Sequence, residues 1–218
     1  MSYGGSCLLA ENAVEFFTAL RAFLETRGIE LEPTAATTPD VVFACGLLTR
    51  ERIAAGEPVV VVAAPVFPGE TTAVYRSVVV SRTDGPADLA SAQEGTLAVN
   101  EYGSWSGWHG YVDDLAGHGL PVPHRRVVTG GHRASVGAVR HGDAAVAAID
   151  SSLWRWLPGD ERDGLRVIHE TVDWPAPPLS VRAGTDDAVV DSLVSAPATR
   201  PATRADYDFM LAARTPLS

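Results

Sequence analysis

Apolar side chains at Val14, Phe17, Leu20, Phe23 and Leu24 recur every three or four residues, and Gly28 follows them as a stop signal. That spacing predicts an amphipathic helix over residues 12–26. Beyond a Pro/Thr-rich connection, residues 40–45 and 58–64 are short, uninterrupted apolar runs, as strands buried on both faces require, and residues 47–55 between them fit a short helix. Strand, helix and strand at this spacing predict a parallel α/β unit. A strand is expected over 73–81. The alternation then becomes regular: strand 96–100 and helix 106–116, strand 126–129 and helix 134–140, strand 144–149 and helix 152–157, then a strand at 165–170. Trp174-Pro175-Ala176-Pro177-Pro178 excludes helix, because each proline fixes its own φ and restricts the residue before it. Residues 179–182 read as a strand, 186–195 as a helix and 196–203 as a Pro/Ala/Thr connection. The fold class is α/β, without internal repeats.

With 218 residues, 46% of them hydrophobic and 20% charged, the chain can bury a real core. Its 27 acidic and 17 basic residues leave a formal charge of -10, which argues against nucleic acid as a partner. All the basic residues are Arg, so lysine Schiff-base or general-base chemistry is excluded. Cys7 and Cys45 form no redox or zinc spacing and are expected as buried free thiols. The longest apolar stretch, 58–67, falls short of the roughly 18 residues of a membrane helix and is broken by Pro65, so no membrane insertion is expected. Met1-Ser2-Tyr3-Gly4-Gly5-Ser6-Cys7 has neither the basic start nor the apolar run of a secretory signal. A cytoplasmic location is the expectation, or an exported one if the N-terminus is truncated.

In open parallel sheets, ligands lie beyond the carboxyl ends of strands, where helix N-termini present free amides. Three strand-to-helix junctions carry suitable residues: Asn100-Glu101-Tyr102-Gly103-Ser104-Trp105-Ser106-Gly107, Thr129-Gly130-Gly131-His132-Arg133-Ala134-Ser135, and Ile149-Asp150-Ser151-Ser152. Each has a plainer explanation. Ser104, Ser106 or Asp150 can simply cap a helix, and His132 can simply bond a carbonyl. A serine-hydrolase elbow is ruled against, because Trp105 stands where the nucleophile belongs and the order Ser, His, Asp differs from that of α/β-hydrolases. The six histidines are scattered, His169-Glu170 lacks a zincin partner, and dinucleotide and P-loop fingerprints are absent. No metal or cofactor is expected.

Tyr75-Arg76-Ser77-Val78-Val79-Val80, Ser104-Trp105-Ser106-Gly107, Thr129-Gly130-Gly131-His132-Arg133-Ala134-Ser135-Val136 and the run from Gly142 to Asp150 resemble, in order and spacing, the phosphonate/phosphate-type substrate-binding proteins of ABC transporters. The proline segment 175–179 and Asp206-Tyr207-Asp208 extend the resemblance, which spans Tyr3 to Tyr207 and looks most like the cytosolic, stand-alone branch. It implies a two-lobe type II periplasmic-binding-protein-like fold with a ligand cleft between the lobes. Lobe one would be residues 1–74 with 175–218, and lobe two residues 75–174. By resemblance, Tyr75 and Ser77 line the hinge side, and Ser104, Trp105, Ser106 and Gly107 offer hydroxyls and amides to phosphonate oxygens. His132 donates a further bond, Asp150 accepts from an amine or a protonated ligand oxygen, and Tyr3 lines the cleft. Trp105 replaces a small residue, so its indole would narrow the pocket or stack on an organic ligand. The first strand of lobe one would be very short or lost.

The implied function is binding of a small oxyanion or phosphonate-like metabolite, as a solute-binding or sensing protein whose partners are the small-molecule anion and an ABC permease or regulatory protein. The alternative is an enzyme on the same fold, of the cofactor-biosynthesis type, with His132 and Asp150 as acid and base.

Overall fold

Strands and helices alternate along nearly the whole chain in a computed structural model that describes residues 1–4, 14–34 and 39–213. In order, the elements begin with β1 (Ser2–Gly4), helix Val14–Glu25, β2 (Glu32–Pro33), β3 (Val41–Phe43), helix Gly46–Ala54 and β4 (Val59–Pro65). They continue with β5 (Val74–Tyr75), β6 (Ser77–Arg82), helix Leu89–Ala92, β7 (Thr96–Val99), a π-helical turn Trp105–His109 running into helix Gly110–Gly117, and β8 (Arg125–Val128). Helix His132–His141, β9 (Val146–Asp150), helices Ser151–Trp156 and Gly159–Arg162, β10 (Leu165–Glu170) and β11 (Trp174–Pro175) follow. The chain closes with β12 (Leu179–Arg182), helix Asp187–Val194, β13 (Thr199–Pro201), a 3₁₀ turn Arg204–Tyr207 and helix Asp208–Ala212. Residues 12 and 13 of the expected first helix, and Cys7, lie outside the described residues.

Two compact units result. One holds Met1–Val74 and Pro175–Ala212, the other Tyr75–Trp174, and the chain passes between them at β5 and β11.

The first unit carries a six-stranded sheet in the order β13-β4-β12-β3-β1-β2. The parallel unit expected around helix Gly46–Ala54 needs correction here: β3 and β4 run the same way but are not neighbours. β12 is inserted between them, antiparallel to both. The short first strand, β1, is present and pairs in parallel with β2 and β3. The Pro/Ala/Thr segment is not merely a connection, because Thr199, Arg200 and Pro201 pair with β4 at the sheet edge. Proline is tolerated there since an edge strand has an amide side that needs no ladder partner. Cys45 is half-buried rather than buried, and its Sγ accepts from the Leu48 amide at the start of helix Gly46–Ala54.

The second unit carries a five-stranded sheet, β10-β6-β9-β7-β8. β7, β8 and β9 are parallel, whereas β6 runs antiparallel to β9 and β10 to β6. Helices cover both faces, which is why β6 and β9 read as continuous apolar runs. On one face Val79, Leu97, Val99, Val146 and Ala148 pack with Trp108, Tyr111 and Leu115. On the other, Val78, Val80, Ala98, Ala147 and Ile149 pack with Val136, Val139, Leu153 and Leu157. Among the described residues no helix is long and apolar enough to cross a membrane.

Candidate functional site

Four backbone ends meet at one edge of the second unit's sheet. β7, β8 and β9 are parallel, so their carboxyl ends deliver Asn100, the Thr129–His132 turn and Asp150 to the same side, and antiparallel β6 begins there with Ser77. Ser77 and Asp150 are direct cross-strand partners. All of these residues except the turn's Thr129 and Gly130 are buried: Ser77 and Asp150 are 0% exposed, Asn100 2% and His132 5%. Polar groups so placed must find partners within the protein or in a ligand.

Ser104 and Ser106 divide the work of their motif. Ser104 caps the turn, its Oγ accepting from the Gly107 amide at 3.0 Å, so those two groups satisfy one another. The backbone here is wound wider than an α-helix, with the His109 amide reaching back to the Ser104 carbonyl and the Gly110 amide to that of Trp105. Such π turns are concentrated at functional sites, and this one turns the Ser106 hydroxyl toward His132, with Oγ 3.1 Å from Nε2. The Ser106 carbonyl in turn accepts from Ser77 Oγ at 2.7 Å. The helix expected from residue 106 therefore begins earlier and irregularly.

Trp105 is wholly buried and its ring meets Trp174 edge-on at 5.8 Å, and Tyr75 meets Trp174 in the same manner at 6.2 Å. Both residues thus belong to an aromatic packing cluster around Trp174. Gly110 makes room for it: a Cβ there would fall 2.7 Å from the Trp174 ring and 2.9 Å from the Trp105 nitrogen. Tyr3 lies in the first unit, half-buried and stacked on Phe17 at 4.7 Å.

His132 opens helix His132–His141, after Gly131 in an extended conformation that offers no side-chain cap. Its Nε2 lies near the Ser106 hydroxyl and 3.4 Å from Asn100 Nδ2, two groups that can donate to it. Burial depresses its pKa to about 4, with the Ala148 backbone acting in the opposite sense. The imidazole is neutral near pH 7, and none of these site residues is a cation. The unfolded chain takes up a proton near pH 6.5 while the native chain does not, so this residue costs stability as pH falls from about 6.5 to about 4. His132→Gln should therefore lose about 2 kcal/mol less than the parent between pH 7.5 and pH 5, by urea unfolding at each pH. Equal losses in the two chains would refute the assignment. Asp150 acts oppositely but is present in both.

Asp150 ends β9 and caps helix Ser151–Trp156. One carboxylate oxygen, Oδ1, accepts from the Ser152 amide at 2.8 Å and its hydroxyl at 2.5 Å. The other, Oδ2, is buried and makes no hydrogen bond. Burial raises the carboxyl's pKa, while the Ser152 bonds, the Leu153 amide and the Arg155 charge pull it down. The capping explanation thus accounts for one oxygen and leaves the other available.

The sequence pattern assigns no site role to Asn100, which opens its junction, to Trp174, which opens the proline segment, or to Thr171. Asn100 Oδ1 is buried without a hydrogen bond, and Thr171 Oγ1 accepts from the Ser77 amide at 3.0 Å. The signal for Asn100 was the same as for Asp150: one polar residue closing an apolar strand. Nothing local marks Thr171, whose partner is 94 positions away.

An α/β unit whose polar strand ends converge on one buried edge is the arrangement in which such sheets place ligands, and its architecture is that of a type II periplasmic-binding-protein fold. The family model for "ABC transporter, phosphonate, periplasmic substrate-binding protein" matches residues 32–203, and the chain belongs to that family. Among solved structures it is similar to PhnD1 of Prochlorococcus marinus in complex with methylphosphonate, at 14% identity and TM-score 0.77, over 98% of this chain and 96% of that one. It is also similar to the binding protein component of an ABC phosphonate transporter from Pseudomonas aeruginosa, at 14% identity and TM-score 0.75, over 98% and 84%. The aliphatic sulphonate binding protein SsuA of Escherichia coli follows at 15% identity and TM-score 0.62, over 90% and 70%. At these identities the likeness is one of fold. No curated protein sequence matches the chain.

Proposed function

We propose that this protein binds a phosphorus oxyanion, a phosphonate or phosphate, on the floor formed by Ser77, Asn100, Ser106, His132 and Asp150, and does so without chemical turnover. The observation that carries this is the unbonded, buried Asp150 Oδ2 at the sheet edge where the helix beginning at His132 points its amides. Helix amides, the Ser106 hydroxyl and the nitrogen of the Asn100 amide, turned so that its NH2 faces the ligand, donate to the anionic oxygens. Asp150 receives the oxygen that carries a proton. A phosphonate or phosphate near neutral pH offers both kinds of oxygen.

Binding is favoured over catalysis by the state of the imidazole. Ser106 and His132 have the separation of a nucleophile and its base, but a base with a pKa near 4 draws little proton density from a hydroxyl at pH 7. An ABC permease is the partner this family membership supports.

Thermal shift followed by isothermal calorimetry with methylphosphonate, inorganic phosphate, an aliphatic sulfonate and acetate tests the reading. The phosphorus oxyanions should raise the unfolding midpoint most, and Ser106→Ala should weaken them by about 10–100-fold, the range for one hydrogen bond to a charged group. A chain that responds to none of the four does not bind oxyanions at this site.

A further inference from the structure

On the flank of the second unit, away from the sheet edge described above, Asp114, His118 and His169 bring their ligating atoms within 4.8 Å of one another. From these we infer a site for a borderline divalent cation of the Zn²⁺ type, bound by one carboxylate and two imidazoles.

The arrangement is built by two independent local features. Asp114 and His118 stand four residues apart at the end of helix Gly110–Gly117, which puts them on one helix face. His169 comes from β10, where the pairing with β6 slips by one residue between Val167 and His169. Ile168 is the extra residue of this bulge. Without it, Ile168 would oppose Val79 and His169 would fall opposite Val78, on the other face of the sheet. With it, His169 itself opposes Val79, whose face packs against Tyr111 and Leu115 of that helix. Bulges that re-aim one side chain are concentrated at functional positions.

The geometry is close to a three-ligand metal centre. His169 Nε2 is 2.8 Å and His118 Nδ1 3.7 Å from Asp114 Oδ2. Ligands at about 2.0–2.1 Å from a tetrahedral zinc are roughly 3.3 Å apart, so one gap opens and the other closes by about half an ångström. The two imidazole rings meet edge-on at 5.1 Å around a carboxylate side chain that is only 4% exposed. Here His118 Nδ1 lies 2.8 Å from the Asp114 carbonyl; to ligate the cation, that nitrogen gives up this contact and the ring proton sits on Nε2 instead. His118 is half-exposed, so the open coordination positions face water, and nitrogen and oxygen ligands of this kind suit zinc and its neighbours rather than calcium or magnesium. The cation would tie the helix end to β10.

Zinc titrated into the chelator-stripped full chain by isothermal calorimetry should bind with one-to-one stoichiometry, and Co²⁺ should give visible absorption of tetrahedral type. His118→Ala and His169→Ala should each weaken zinc by more than the 10–100-fold or so that loss of an outer-shell partner costs. His118 is exposed at the helix end, so its variant keeps the fold even if a change at buried Asp114 does not. His124→Ala and His141→Ala, at exposed histidines elsewhere, should bind zinc as the parent does. Failure of the parent to bind zinc, binding that survives His169→Ala, or equal loss on His124→Ala would each overturn the site.

Discussion

Replacing Asp150 by Asn is expected to reverse the preference between phosphonates and sulfonates. In the parent, Oδ1 is committed to Ser152 and only Oδ2 can meet a ligand. A phosphonate oxygen that carries a proton bonds it. A sulfonate has no proton to share near pH 7 and faces a bare acceptor, so either the carboxyl takes up a proton from water or the contact is repulsive. Burial already favours that uptake, so sulfonate binding by the parent should strengthen as pH falls. In the Asn variant the amide oxygen keeps the Ser152 bonds and the amide nitrogen stands where Oδ2 was, where it donates to a bare sulfonate oxygen but cannot accept from a phosphonate's P–OH. Phosphonate affinity should fall, and sulfonate affinity rise, by about 10–100-fold each, the range of about 1.5–3 kcal/mol for hydrogen bonds to charged groups. Calorimetry with methylphosphonate and an aliphatic sulfonate on both chains measures the four affinities. A variant in which both ligands weaken by the same factor would show that Asp150 is a cap and nothing more.

Gly107→Ala should remove binding by at least about 100-fold while leaving the chain folded, because the clash is local to the site. A Cβ at Gly107 would lie 1.7 Å from Asn100 Oδ1, 2.6 Å from its Cγ and 3.1 Å from His132 Cε1. Asn100 sits at a strand end and His132 at a helix start, so neither can yield without losing its alignment with Ser106. Overpacking of this kind costs about 1–3 kcal/mol of stability. Gly137, in the middle of helix His132–His141, meets nothing within 4 Å at the same test, and Gly137→Ala should raise stability by about 0.5–1 kcal/mol with affinity unchanged. Urea unfolding and calorimetry on the pair separate the two effects. Full-strength binding by Gly107→Ala would refute the placement of the site.

Much of the fold was legible because both faces of the second unit's sheet are covered. Continuous apolar runs such as Val146 to Ile149 can satisfy such a sheet and little else. The place of β12 and the existence of β13 share one cause, long-range pairing, whereas helices Leu89–Ala92, Gly159–Arg162 and Asp208–Ala212 are too short to show a periodic apolar face. β12 enters between β3 and β4 from 115 or more positions away, and no local pattern announces an inserted antiparallel strand. β13 was hidden by its proline, which is admissible only because β4 places it at an edge. In the site, the polar residue closing an apolar strand was visible at Asp150 and at Asn100. What each oxygen of those side chains does was not, since that depends on Ser152, His132 and the room left by Gly107.

By itself, then, the sequence determined the α/β class, the positions of the longer strands and helices, and the three strand-to-helix junctions that carry polar residues, but not the short elements β2, β11, β13 and helices Leu89–Ala92, Gly159–Arg162 and Asp208–Ala212. Hydrophobic periodicity and punctuation by Gly and Pro are local, and local physics suffices for them. The tertiary structure decided which junctions share an edge, which serine caps and which reaches His132, and that Trp105 and Tyr75 pack around Trp174. It also decided that a one-residue bulge brings His169 to Asp114 and His118. Those outcomes depend on register and on contacts across dozens of residues, where a shift of one position moves a side chain to the opposite face.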